Sequence, residues 1–156
     1  MFSIYVDTNS DIFMREIRRG GNIRCDTHIS VDDENFPDTF FKDFPVVILS
    51  WWIEGYFQML GEERVIKNSF MDGPFEFTTQ RCGHDIWLER YERKLIGNRK
   101  LGSTVEIPLQ EYHNELSRTA QHLIDMLDNL SVSGGDIDTL KAMTTRISRS
   151  SIDGGF

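Results

Sequence analysis

Cysteine is scarce in this chain: Cys25 and Cys82 are its only two, too few for a disulfide scaffold. That scarcity makes a reducing cytoplasm the expected location. No apolar run approaches the roughly 20 residues of a membrane-spanning helix. The residues from Met1 to Asp7 lack the basic stretch, apolar run and small-residue cleavage site of a secretion signal. Phosphate-cradling glycine loops are missing too. Gly20-Gly21 and Gly134-Gly135 have neither the spacing nor the lysine of a P-loop, and neither matches a dinucleotide fingerprint. No basic patch is interleaved with aromatics, as single-strand nucleic-acid binders require. Arg15, Arg18, Arg19 and Arg24 cluster, but Asp7, Asp11, Glu16 and Asp26 bring residues 1–31 to zero net charge. Nucleic-acid partners and cofactors are therefore not expected, and there is no internal repeat.

Acids, by contrast, are in excess. The net charge of −8 is unevenly placed: residues 32–63 hold eight acids against Lys42 alone, a local −7, whereas residues 64–108 hold eight bases and six acids, or +2. Such a field repels phosphate and attracts a basic partner, although a solvated acidic loop that keeps the protein soluble is the plainer reading. Eleven Phe, four Tyr and three Trp supply a large core for 156 residues, a length that suits one domain. A single α+β domain over 1–148 with a flexible tail over 149–156 is expected.

Hydrophobic period assigns most elements. Residues 2–6 read as a strand, and 11–18 as a short helix capped by Ser10 and closed by Gly20-Gly21. Ile23, Cys25, Thr27, Ile29 and Val31 alternate with polar residues, the period of a strand with one buried face. The stretch 32–43, rich in acids and turn residues, reads as an exposed loop. From Pro45 to Gly61, Ile48, Trp51, Trp52, Gly55, Tyr56 and Met59 follow helical spacing. Val47, Leu49, Ile53 and Phe57 make that helix apolar almost all round, so it is either the central core helix or has a second face for a partner. An antiparallel meander follows, over 65–71, 74–80 and 85–92. Its first turn is Asp72-Gly73, and Ile86, Leu88 and Arg90 face away from Trp87, Glu89 and Tyr91. Gly97 to Gly102 reads as a loop before a last short strand at Val105, Ile107 and Leu109. Tyr112, Leu116, Ala120, Leu123, Leu127 and Leu130 then form the stripe of an amphipathic helix laid on the sheet. Glu111, Glu115, Arg118 and Asp125 lie outside that stripe, and a weaker helix spans 137–147. The fold class is α+β, an antiparallel meander packed on one or two helices.

The residues that could carry chemistry do not converge. Cys25 and His28, three apart on a strand, point to opposite faces, and with Cys82 and His84 they lack zinc-ligand spacing. A buried Cys25 and an exposed His28 are expected, with no metal. Cys82, His84 and Asp85 suit a turn better than a nucleophile, base and orienter, because such partners normally meet from distant parts of a chain. His113 and His122 lie on the long helix without the Glu-x-x-His spacing of a di-iron site, and read as a solvated face. Trp51, Trp52 and Tyr56 read as core.

The Trp51-Trp52 segment, the Phe70 to Phe77 hairpin, the Ile86-Trp87-Leu88 strand and the edge strand running into the 110–130 helix together span about residues 45–130. This order of parts resembles small cytoplasmic bacterial α+β proteins of the polymorphic-toxin immunity type. The resemblance implies a non-enzymatic inhibitor that covers the active site of one partner toxin, and no motif here fixes a residue for that role. Charge is compatible with it, since an acidic inhibitor can mimic phosphate in a basic site and opposite fields speed association. The expected contact surface is Asp32, Asp33, Glu34, Asp38, Asp43, Glu62 and Glu63, with Phe36, Phe40 and Phe41 as apolar anchors. The competing expectations are a homodimer that buries the second face of 46–60, and an enzyme or small-ligand domain with its pocket between the sheet and the 110–130 helix.

Overall fold

A computed structural model describes residues 1–18, 22–62 and 64–150. In chain order the elements are β1 (Phe2–Val6), α1 (Asp11–Arg18), β2 (Cys25–Val31), β3 (Glu34–Phe36), β4 (Lys42–Asp43) and α2 (Pro45–Gly61). There follow β5 (Ile66–Ser69), β6 (Phe75–Cys82), β7 (Asp85–Arg93), β8 (Asn98–Pro108), α3 (Leu109–Asn129) and α4 (Gly135–Arg149). The expected meander is the sheet β5-β6-β7-β8. A second antiparallel sheet, β1-β2-β3 with β4 also on β2, stands beside it. The fold is α+β.

Local chemistry explains why the elements begin and turn where they do. Ser10 Oγ accepts the Phe13 amide at 3.0 Å and caps α1, while the glycines expected to close it lie outside the described residues. Pro45 occupies the first turn of α2, where a missing N–H costs nothing. Gly73, at φ +70, makes the turn between β5 and β6.

α2 is the central core helix. Ile48, Leu49, Trp52, Ile53, Tyr56 and Met59 are all buried, because β5 and β6 cover one side and α4 the other. Arg146 of α4 lies over the Phe57 ring at 3.8 Å and pairs with Glu54 at 3.5 Å, so the helix's second face is already occupied. β5 comes close to α2 at Gly55, where a Cβ would stand 2.7 Å from Asn68 Oδ1.

α3 buries the expected stripe, chiefly against β1, α4 and α2. Glu111 and Glu115 differ from expectation. Instead of facing water, their carboxylates accept the Phe2 and Ile4 amides of the edge strand β1, both at 2.8 Å. A helix beside a sheet edge thus satisfies outward-facing amides that would otherwise template another strand.

β8 is also longer than its sequence signals suggest. Gly97 and Gly102 read as one loop, yet Gly97 is the hairpin turn and Gly102 sits inside the strand at φ +71. Leu88 faces Val105 while Arg90 faces Leu101, so β8 bulges at 102–104. A Cβ on Gly102 would stand 2.5 Å from Arg90 Nη2, so glycine is what lets the buried guanidinium lie there. α4 runs to Arg149, and residues 151–156 of the expected tail lie outside the described residues.

Candidate functional site

The acidic stretch is not one exposed loop. Val31 pairs with Glu34, so Asp32 and Asp33 form a two-residue hairpin turn, both in the left-handed region at φ +50 and +68. β3 then carries Phe36 inward opposite Ile29. Phe36 and Phe41 each pack edge-on against Phe70 and Phe75, with ring centroids 5.5–5.9 Å apart, and Trp52 closes on Phe70 at 5.2 Å. This aromatic cluster fastens one sheet to the other. Phe36 is buried and Phe41 half-buried, so Phe36 is a core residue rather than a contact anchor.

Asp43 is a second correction. It is completely buried. Oδ1 accepts the Phe44 amide at 2.7 Å, and Oδ2 accepts those of Met71 and Asp72 at 3.0 and 3.2 Å. The carboxylate therefore pins the β5–β6 turn to β4. Burial pushes its pKa up, and the three amides pull it part of the way back.

Asp32, Asp33, Glu34 and Asp38 remain exposed, together with Phe40, which is 77% accessible. Of these, Asp38 and Phe40 border an open groove between Phe40-Phe41 and Asp72-Gly73, with Arg24 and Lys42 on its walls. Nearby bases temper the field: Arg24 pairs with Asp72 at 2.9 Å, Lys42 with Asp26 at 2.7 Å, and the buried Arg90 with Glu34 at 3.1 Å. Glu62 is not part of this surface. The 17 residues of α2 separate it from Asp43 by about 25 Å at 1.5 Å per residue, and it pairs with Arg64. Glu63 lies outside the described residues. Arg24 and Asp72, which sequence reasoning missed, meet across 48 positions without a local signal.

The other candidates resolve as packing. Cys25 is buried, as expected, and burial pushes its thiol up to about 11. His28 is buried rather than exposed, because β2 is a central strand and Tyr5, its cross-strand partner, stacks on the imidazole at 4.9 Å. Desolvation lowers its pKa and favours the neutral ring. His113 is also buried, its Nε2 3.1 Å from both the Ile147 carbonyl and Ser150 Oγ at the end of α4. His122 is exposed, as expected. Cys82 borders the β6–β7 turn, where Gly83 takes φ +65 and the His84 carbonyl accepts the first amide of α3 at 2.9 Å. Trp52 and Tyr56 are core, whereas Trp51 is exposed. Among the described residues no three His, Cys, Asp or Glu gather as a metal site, and no helix is long and apolar enough to cross a membrane.

A cavity of about 170 Å³ opens among α1, the start of α2 and the α3–α4 loop, lined mainly by Ile17, Ile23, Val46, Val47, Val132 and Ile137. No protein-family model, curated protein or solved structure matches this chain.

Proposed function

We propose that the chain is a non-enzymatic protein-binding domain, an immunity-type inhibitor that occludes a basic partner toxin in the bacterial cytoplasm. The observation that carries this reading is the run of exposed acids Asp32, Asp33, Glu34 and Asp38 followed by the accessible ring of Phe40. Carboxylates on an edge steer a basic partner into contact, and an exposed aromatic beside Asp38 supplies the anchor that affinity needs.

The test has two stages. The tagged protein is cross-linked and purified from its native host, and one basic protein in stoichiometric yield identifies the target. Asp32→Asn, Asp33→Asn and Asp38→Asn are then combined, because Asn keeps the left-handed turn at 32–33 while removing charge. Association should slow by about tenfold or more and lose most of its salt dependence. An unchanged rate and affinity would refute the reading. The cavity at Ile17 and Ile137 favours a small-ligand domain as the second reading. Recovery of the protein alone, as a monomer, would turn attention to that cavity.

A further inference from the structure

The walls of the cavity are apolar and come from separate parts of the chain. Ile17 lies in the last turn of α1, Ile23 precedes β2, Val46 and Val47 open α2, and Val132 and Ile137 flank the entry to α4. Ile23, Val46 and Ile137 are buried, whereas Ile17, Val47 and Val132 are half-buried and keep apolar surface that a guest can cover. At about 170 Å³ the space is comparable to the roughly 150 Å³ at which an apolar cavity takes up a benzene-sized molecule. It is partly open, so a guest can enter without unfolding the domain.

Polar groups gather on one rim. Ser133, Gly134, Gly135 and Asp136 are consecutive and carry the chain from the α3–α4 loop into the first turn of α4. Gly134, the residue that caps α4, has no side chain to offer the first-turn amides, so donors remain there. Ser133 adds a hydroxyl, and Asp136 is the only charge among the described residues of the lining. An apolar body with one polar head therefore suits the space. The rim also selects the head. A carboxylate is favoured by the start of a helix, but here it would meet Asp136 in the same turn, with Asp138 two residues on. An ammonium would suit Asp136 but oppose the positive end of the α4 dipole. A hydroxyl donates to a carboxylate and accepts from an amide, so it satisfies both without bringing a charge.

We infer that the cavity binds a small neutral alcohol or phenol, about one ring in size. Its apolar body lies among Val46, Val47 and Ile137, and its hydroxyl lies on the rim from Ser133 to Asp136. The inference rests on the small-ligand reading given second above. It leaves the inhibitor reading untouched, because the cavity shares no lining residue with the groove beside Phe40.

The test titrates toluene, benzyl alcohol, benzylamine and benzoate, which share one ring and differ in the head, into the full chain with isotope-labelled Ile and Val methyls. Benzyl alcohol should shift the methyls of Ile17, Val46, Val47, Val132 and Ile137 with a Kd below about 1 mM, and bind about threefold or more tighter than each other probe. Val132→Phe, at a half-buried loop position, fills the cavity. It should weaken benzyl alcohol by about tenfold or more, while circular dichroism without probe stays unchanged. Asp136→Asn, on an exposed side chain, should tighten benzoate by about twofold or more. Toluene or benzoate binding as tightly as the alcohol overturns the choice of head and leaves the small-ligand reading standing, as does a benzoate affinity unmoved by Asp136→Asn. Shifts scattered over other methyls, or binding indifferent to Val132→Phe, overturn the site. No binding by any of the four up to their solubility overturns the small-ligand reading with it.

Discussion

Asp43 offers the sharpest test of how this fold is held. Replacing it with Ala removes the acceptor for three backbone amides at once, those of Phe44, Met71 and Asp72. A hydrogen bond to a charged group contributes about 1.5–3 kcal/mol, and a donor left buried without an acceptor costs about 1–3 kcal/mol. Met71 is exposed and Asp72 half-buried, so water can replace part of what their amides lose. The carboxylate's own desolvation also offsets some of the gain, as its raised pKa shows. One amide at full cost and two at partial cost give a loss of about 3 kcal/mol. That is a large share of the roughly 5–15 kcal/mol typical of a domain, and at this chain length it lowers Tm by about 6–12 °C. Urea unfolding followed by tryptophan fluorescence measures it, because Trp52 is buried against Phe70 and Phe77 and becomes solvated on unfolding. The pH dependence has a definite sign. A carboxyl whose pKa is raised by folding binds its proton more tightly in the native state, so its contribution is largest below the ordinary carboxylate range and is lost as pH rises through the raised value. Asp43→Asn should flatten that part of the stability profile and, by keeping one oxygen, lose less than Asp43→Ala. A loss for Asp43→Ala within the ~0.5 kcal/mol of an ordinary surface substitution would refute the reasoning.

Three further outcomes are expected. Glu111→Ala and Glu115→Ala should each cost about 1–2 kcal/mol and speed hydrogen exchange at the Phe2 and Ile4 amides respectively; unchanged exchange would show that the edge of β1 does not need them. Gly55→Ala sets a helix-propensity gain of about 1 kcal/mol against a Cβ placed 2.7 Å from Asn68 Oδ1 and 3.2 Å from Ile66 Cγ2. Overpacking costs about 1–3 kcal/mol, so the variant should be less stable, and a rise in Tm would mean that β5 yields freely. A disulfide reagent should titrate one thiol in the native protein and two after denaturation, because Cys82 is exposed whereas Cys25 is buried with its pKa pushed up to about 11.

What the sequence determined alone is the kind and order of most elements, though not of the short β3 and β4, because those signals are local. Alternation along Ile86, Leu88 and Arg90 describes a strand wherever it is placed, and Pro45 with apolar residues all round describes a buried helix before its neighbours are known. The Asp72-Gly73 turn needs only a glycine able to take positive φ. Tertiary structure alone decided where the polar residues go. An acid has the same local pattern whether it faces water or a buried amide, and Asp43, Glu111 and Glu115 find their amides as far as 111 positions away. Likewise Phe36 became core, and Phe41 half-buried, only because Phe70 and Phe75 of the other sheet meet them, and His28 became buried only because Tyr5 lies across it. Glycine carries the same ambiguity, since Gly97 and Gly102 suggest one loop until Arg90 needs the space that a Cβ on Gly102 would take. The acidic edge was therefore legible as charge, but its extent was set by contacts between residues far apart in the chain.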